Sequence, residues 1–80
     1  MERRRQTRAR TLKSARILFN KHRSVIDCTV RNLSPVGACL KVASAIGIPA
    51  QFDVMFDADH TVRPCRVVWH KENQLGVEFA

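Results

Sequence analysis

Eighty residues allow one small domain, and a hydrophobic share of 45% is enough for a compact core rather than a disordered chain. No apolar window is long enough to cross a bilayer as a helix, and no apolar run follows the basic start as a secretory signal requires. Of the net charge of +7, residues 1–16 carry +6, with seven Lys or Arg against Glu2, while the other 64 residues set seven Lys or Arg against six Asp or Glu. The excess positive charge therefore sits on the N-terminal arm, which implies an anionic partner such as nucleic acid, a membrane surface or a phosphorylated small molecule.

Residues 1–11 show no apolar periodicity, so the sequence predicts a mobile Arg-rich arm in the absence of a partner, followed by one folded unit over residues 12–80. From residue 12 the period becomes two. Ala15, Ile17 and Phe19 form one face; after the polar turn Asn20–Arg23, Ile26, Cys28 and Val30 form the next. Asn32-Leu33-Ser34-Pro35-Val36-Gly37 interrupts the pattern, which resumes with Ala38, Leu40 and Val42. Gly47 and Pro49 punctuate the connection to Phe52, Val54 and Phe56, and Asp57–His60 reads as a tight turn. Cys65, Val67 and Trp69 follow, then the turn Lys71–Asn73, then Leu75, Val77 and Phe79. Six short alternating strands predict an all-β domain, a small six-stranded antiparallel β-barrel with no C-terminal helix, because closure removes exposed strand edges. Pro64 is expected near a strand start, an edge or a bulge, since it cannot donate to a ladder.

The chemistry-bearing residues point away from catalysis. His22, His60 and His70 are scattered in turns or at a strand end, and none is spaced from a Ser or Cys as a local motif. Cys28, Cys39 and Cys65 are odd in number and widely spaced, which fits neither a disulfide framework nor a metal pair; they read as buried apolar thiols in a reducing cytoplasm. No enzyme, metal or cofactor is expected. The arm is more informative. Arg3, Arg4 and Arg8 form Arg-Arg-x-x-x-Arg, and each guanidinium offers a planar fork of donors that matches a phosphate or the guanine O6/N7 edge. The interrupting hexapeptide is the other candidate. With strand geometry, Asn32 and Ser34 point to one side and Leu33 to the core, while Pro35 fixes its backbone and Gly37 permits a positive φ or a close backbone approach. An ordinary Asx or Ser turn is the bland alternative for this stretch, and a solvated basic tail is the bland alternative for the arm.

Taken together, Arg4-Arg5-Gln6-Thr7-Arg8 and Asn32-Leu33-Ser34-Pro35-Val36-Gly37 resemble the RxxxR and [D/N]xSxxG signatures of the PilZ domain, a bacterial family of cyclic di-GMP receptors. The ending Val67-Val68-Trp69-His70 with Leu75-Gly76-Val77-Glu78-Phe79 is similar to the last two strands of that family. The resemblance implies a six-stranded barrel and cyclic di-GMP as the ligand. It implies that Arg4 and Arg8 contact guanine edges and phosphates and that Asn32 and Ser34 hydrogen-bond the ligand from the barrel wall. Gly37 would let the backbone pass close to it. Arg3 resembles members that take a stacked ligand dimer. Because the last strand runs to Ala80, output is expected through a protein effector or a ligand-induced oligomer.

The rival readings are a basic barrel binding nucleic acid and a module docking an acidic protein surface without cyclic di-GMP. Nucleic acid is the weaker of these partners: aromatic residues are 6% of the chain, Tyr is absent, and Phe19, Phe52, Phe56, Phe79 and Trp69 all fall on apolar strand faces. No membrane partner is expected.

Overall fold

A computed structural model describes residues 9–80, with side chains from Lys13 onward. It has six strands: β1 (Ala9–Phe19), β2 (Ser24–Leu33), β3 (Gly37–Val42), β4 (Gln51–Phe56), β5 (Val62–Lys71) and β6 (Gln74–Phe79). All neighbours are antiparallel, and the sheet closes in the order β1-β2-β3-β6-β5-β4, with β1 bonded to both β2 and β4. The closed all-β barrel expected from the alternation is therefore the observed fold. β1 begins at Ala9, before the alternation becomes visible at residue 12. Ala9 and Arg10 pair with Leu33 and Asn32, and a register shift between Arg10 and Lys13 hides this first pairing from a period-two reading.

The core is made by the inward faces that the alternation marks out. Ile17, Val30, Leu40 and Val54 are fully buried, and Ala15, Cys28, Val42, Phe52, Cys65, Leu75 and Val77 complete the cluster. Each large aliphatic side chain removed from water in this way contributes roughly 1.5–3 kcal/mol against conformational entropy. Ala45 and Ile48 of the β3–β4 connection pack against the same core. Pro64 is third in β5, near its start, and its carbonyl accepts the Ala80 N–H at 2.9 Å.

The short connections are held by left-handed backbone. Asn20, Lys21 and His22 have φ of 53°, 56° and 66°. Such a run is costly for side-chain-bearing residues. It is offset by the Arg23 N–H to Asn20 carbonyl bond (3.0 Å), by Asn20 Nδ2 donating to Ser24 Oγ (3.0 Å), and by His22 Nε2 at 2.7 Å from Asp53 Oδ2 on β4. The β4–β5 turn uses His60 at φ 61°, with the His60 N–H bonded to the Phe56 carbonyl at 2.8 Å.

Candidate functional site

Strict alternation along β2 would place Asn32 on the same inward face as Cys28 and Val30. It does not lie there. The β2–β3 register shifts between Val30 and Asn32, so Arg31 is an extra residue opposite β3. That bulge inverts the parity of everything after it. Leu33 now packs against the core, and Asn32 lines a groove of about 470 Å³ on the outer wall of the barrel. Ser34 lines the same groove, so the two polar residues of the hexapeptide come together on one surface.

Ser34 also builds the loop it belongs to. Its N–H bonds the Gly37 carbonyl at 2.9 Å. Its Oγ accepts from the N–H of Val36 (3.3 Å) and of Gly37 (3.2 Å) and donates to the Gly37 carbonyl (3.3 Å). A hydroxyl has one donor and two acceptor positions, and all three are in use. Contact with an added ligand therefore requires one of these long bonds to be exchanged. The Asn32 side chain makes no hydrogen bond among the described residues, which leaves its carbonyl and two N–H groups able to point outward.

Gly37 has no positive φ; among the described glycines only Gly47 does, at 86°. Close approach is the reason for glycine here. A Cβ at residue 37 would fall on the Val77 carbonyl oxygen of the neighbouring strand β6. The glycine of the motif thus lets β3 lie tightly against β6 where the groove is formed.

Two expectations are corrected on this wall. Trp69 is not on the core face. β5 has its own bulge, between Val67 and Trp69, and past it the indole turns outward, 46% exposed, and lies over Gly76 where a Cβ would stand. Cys39 is not a core thiol; it is half-buried on the outer wall, with Sγ 3.6 Å from Gln74 Oε1. Both side chains line the groove with Asn32 and Ser34, flanked by the exposed Val36 and Val68. Sequence reading missed Trp69 because a bulge is not visible as a pattern, and missed Cys39 because residue type assigns the thiol inward although it alternates with the buried Leu40. The faint signal for Trp69 was the small Gly76 in the strand that follows it. Cys28 and Cys65 are buried as expected. Burial, then the nearby Asp57 and Asp27 carboxylates, push Cys28 up to about 12; burial, then Asp53 and Cys28, do the same for Cys65.

The groove has little charge of its own. Among the described residues Glu78 is the only charged one lining it, and its Oε1 is held by Arg66 at 3.0 Å from Nε and 2.7 Å from Nη2. A cation for an anionic ligand must come from elsewhere. The pairing of Ala9 with Leu33 and of Arg10 with Asn32 fixes where the chain joins the barrel, which is at this groove. Arg3, Arg4 and Arg8 lie outside the described residues. Arg8 directly precedes Ala9, and the five-residue step from Arg4 to Ala9 can span at most about 17 Å.

These features define a small β-barrel binding domain, with a polar and aromatic groove on its outer wall beside the start of β1. The chain belongs to the PilZ domain family, whose model matches residues 2–80. PilZ domains are binding domains rather than enzymes and generally take cyclic di-GMP. No curated protein matches the chain. No helix among the described residues is long and apolar enough to cross a membrane.

Proposed function

We propose that this protein is a cyclic di-GMP receptor in which Arg3, Arg4 and Arg8 close over a ligand seated against Asn32, Ser34 and the Gly37 backbone. The observation that carries this reading is the β1–β2 pairing, which joins the Arg-rich segment to the barrel next to a groove that has hydrogen-bonding groups but, among the described residues, no cation lining it. The division of labour follows from chemistry. Asn32 supplies an acceptor and two donors to a base or phosphate, the Arg side chains supply the charge that a dianion needs, and Trp69 offers an aromatic face. Neutralising the mutual repulsion of the arginines gives the ligand its differential affinity for the closed arrangement, which is what drives such a switch. Output then passes to an effector protein that distinguishes the open from the closed state.

Calorimetric titration of the full chain with cyclic di-GMP tests this. Saturable binding is expected, with Trp69 fluorescence changing over the same concentration range. Arg8→Ala is expected to weaken binding at least about tenfold, the worth of one charge-assisted hydrogen bond, with the circular dichroism of the barrel unchanged. A well-folded protein that ignores cyclic di-GMP at high micromolar concentration would overturn the reading.

A further inference from the structure

The two ends of the barrel differ in charge. At the end where β1 begins, a cavity of about 770 Å³ has a rim of both signs, Lys13 and Arg63 with Asp57 and Asp59, and Asp57 is already paired with Arg16 at 3.7 Å. The other end carries mostly one sign. Because all neighbouring strands are antiparallel, the β1–β2 turn, the β3–β4 connection and the β5–β6 turn share it. Lys21, Arg23, Lys41 and Lys71, four of the seven Lys and Arg after residue 16, are exposed there. None of the four is in an ion pair among the described residues. Of the nearby acids, Glu72 is exposed in the β5–β6 turn, and Asp53 on β4 is engaged by His22 at 2.7 Å.

The β3–β4 connection lies among these cations. Its start is tied to the β5–β6 turn, since the Val42 N–H donates to the Asn73 carbonyl at 2.9 Å. Near its end, Pro49 shares a surface depression with Lys21 and His22. The segment Ala43–Ala50 contains no charge and no aromatic ring. Ala45 and Ile48 pack down on the core and anchor it. The Ile48 N–H bonds the Ala45 carbonyl at 3.3 Å, and Gly47 turns the chain at φ 86°. Ile46, between the two anchors, is 91% exposed. A single exposed aliphatic side chain is ordinary on a protein surface. This one is the apex of an uncharged, anchored loop with cations on both sides.

Partners can be sorted against that shape. A protein interface normally centres on aromatic or Arg anchors seated in matching pockets. Here the apex is one aliphatic side chain on a convex loop, and the cations are long side chains spread over three connections. An anionic bilayer asks for no matching pocket. It takes an apolar wedge at the headgroup boundary and rewards diffuse positive charge held near its surface. Nucleic acid answers the cations but leaves Ile46 in water.

We propose that this end of the barrel is a peripheral docking surface for an anionic membrane, with Ile46 entering the interface and Lys21, Arg23, Lys41 and Lys71 facing lipid phosphates. Peripheral contact needs no spanning helix, so the lack of an apolar span, on which the expectation of no membrane partner rests, does not bear on it. The start of β1 and the Asn32–Gly37 loop lie toward the opposite end, so both surfaces can be occupied at once and neither depends on the other.

The test is sedimentation of the full chain with vesicles of phosphatidylglycerol and phosphatidylcholine in equal parts, against vesicles of phosphatidylcholine alone. Attachment to the anionic vesicles only is expected. Each cation near such a surface strengthens attachment about fivefold, so Arg23→Glu with Lys71→Glu is expected to weaken it at least about tenfold. Ile46→Ser changes an exposed side chain and is expected to leave the thermal melt unmoved while weakening attachment about fivefold; it carries the test if the charge variant is poorly folded. Both are also measured with Arg3, Arg4, Arg5 and Arg8 replaced by alanine, so that the arm's own attraction to anionic lipid does not mask the effect. No attachment of the unmodified chain, or attachment that neither variant weakens in either background, overturns the docking surface. Attachment weakened by the charge variant but not by Ile46→Ser, the behaviour of a plain polyanion site, overturns it too. Each of these outcomes leaves the cyclic di-GMP reading intact.

Discussion

The hydroxyl of Ser34 and the amide of Asn32 belong to the same motif, yet the geometry gives them separable tasks. Ser34→Ala removes three loop hydrogen bonds of 3.2–3.3 Å and leaves the N–H groups of Val36 and Gly37 to find other partners, while the Gly37 carbonyl keeps the Ser34 N–H. Bonds at the long end of the range in a half-exposed loop are each worth about 0.5 kcal/mol net, so the loss is about 1–1.5 kcal/mol. In a domain of this size that is a fall of roughly 4–10 °C in Tm. Asn32→Ala removes a side chain without a hydrogen bond among the described residues and is expected to shift Tm by less than about 2 °C. Against cyclic di-GMP the order reverses in meaning. Both variants lose affinity, but Asn32→Ala does so at constant stability, by about tenfold, because only a ligand contact is removed. Thermal melts by circular dichroism, paired with calorimetry, read both quantities. Equal Tm values for Ser34→Ala and the unmodified protein would refute the loop-building role, and unchanged affinity for Asn32→Ala would refute the amide as a ligand contact.

Gly37→Ala sets a methyl against the Val77 carbonyl, a backbone atom that cannot swing away, and is expected to cost about 1–3 kcal/mol in a denaturant melt without any ligand present. Gly76→Ala instead meets the Trp69 indole, which can move; the expected result is a shifted Trp emission maximum with a smaller loss of stability, and an unshifted spectrum would contradict the stacked position. Mass spectrometry after brief alkylation of the native protein should find Cys39 modified and Cys28 and Cys65 untouched, with cyclic di-GMP protecting Cys39. The two buried thiols also set a pH dependence. Their folded values are raised from 9.0 to about 12, so the folded state holds protons that the unfolded chain releases; stability is full below about pH 9 and falls as pH rises toward 12. Replacing Cys28 and Cys65 by Ser or Val should flatten that alkaline slope in urea melts.

Most of the barrel was legible because its inner face is written in period two. Ile17, Cys28, Leu40, Val54 and Val77 need no tertiary information to be assigned inward, and Asp57–His60 and Lys71–Asn73 announce their turns by composition. The true start of β1 was not legible, since a register shift breaks the alternation just after Arg10. Nor was the outward turn of Trp69, because a bulge is decided by the neighbouring strand rather than by the residues it displaces. The groove could be guessed as a motif but not as a surface. Its third wall, Cys39 and Gln74, comes from strands 35 residues apart in sequence. The larger cavity at the barrel end was invisible, because Lys13, Ser34, Phe56 and Arg63 are brought together only by closure of the sheet.

The two bulges that defeated the alternation share a physical consequence. Val30 and Val67 are the last inward residues before each, and the residue two positions later, Asn32 in one strand and Trp69 in the other, is thrown to the outside instead of entering the core. Strict alternation would have buried an amide in an apolar interior, at a cost of roughly 1–3 kcal/mol without a partner, and would have crowded an indole into a barrel already filled by Phe52 with Phe19, Phe56 and Phe79 packed against it. Both displaced side chains line the same groove. Each bulge therefore relieves the core of a residue it cannot hold and equips the outer wall with one hydrogen-bonding group and one aromatic face. Removing the extra residue Arg31 by deletion should return Asn32 inward, and the same change would cost stability and ligand affinity together, whereas Asn32→Ala is expected to cost affinity alone.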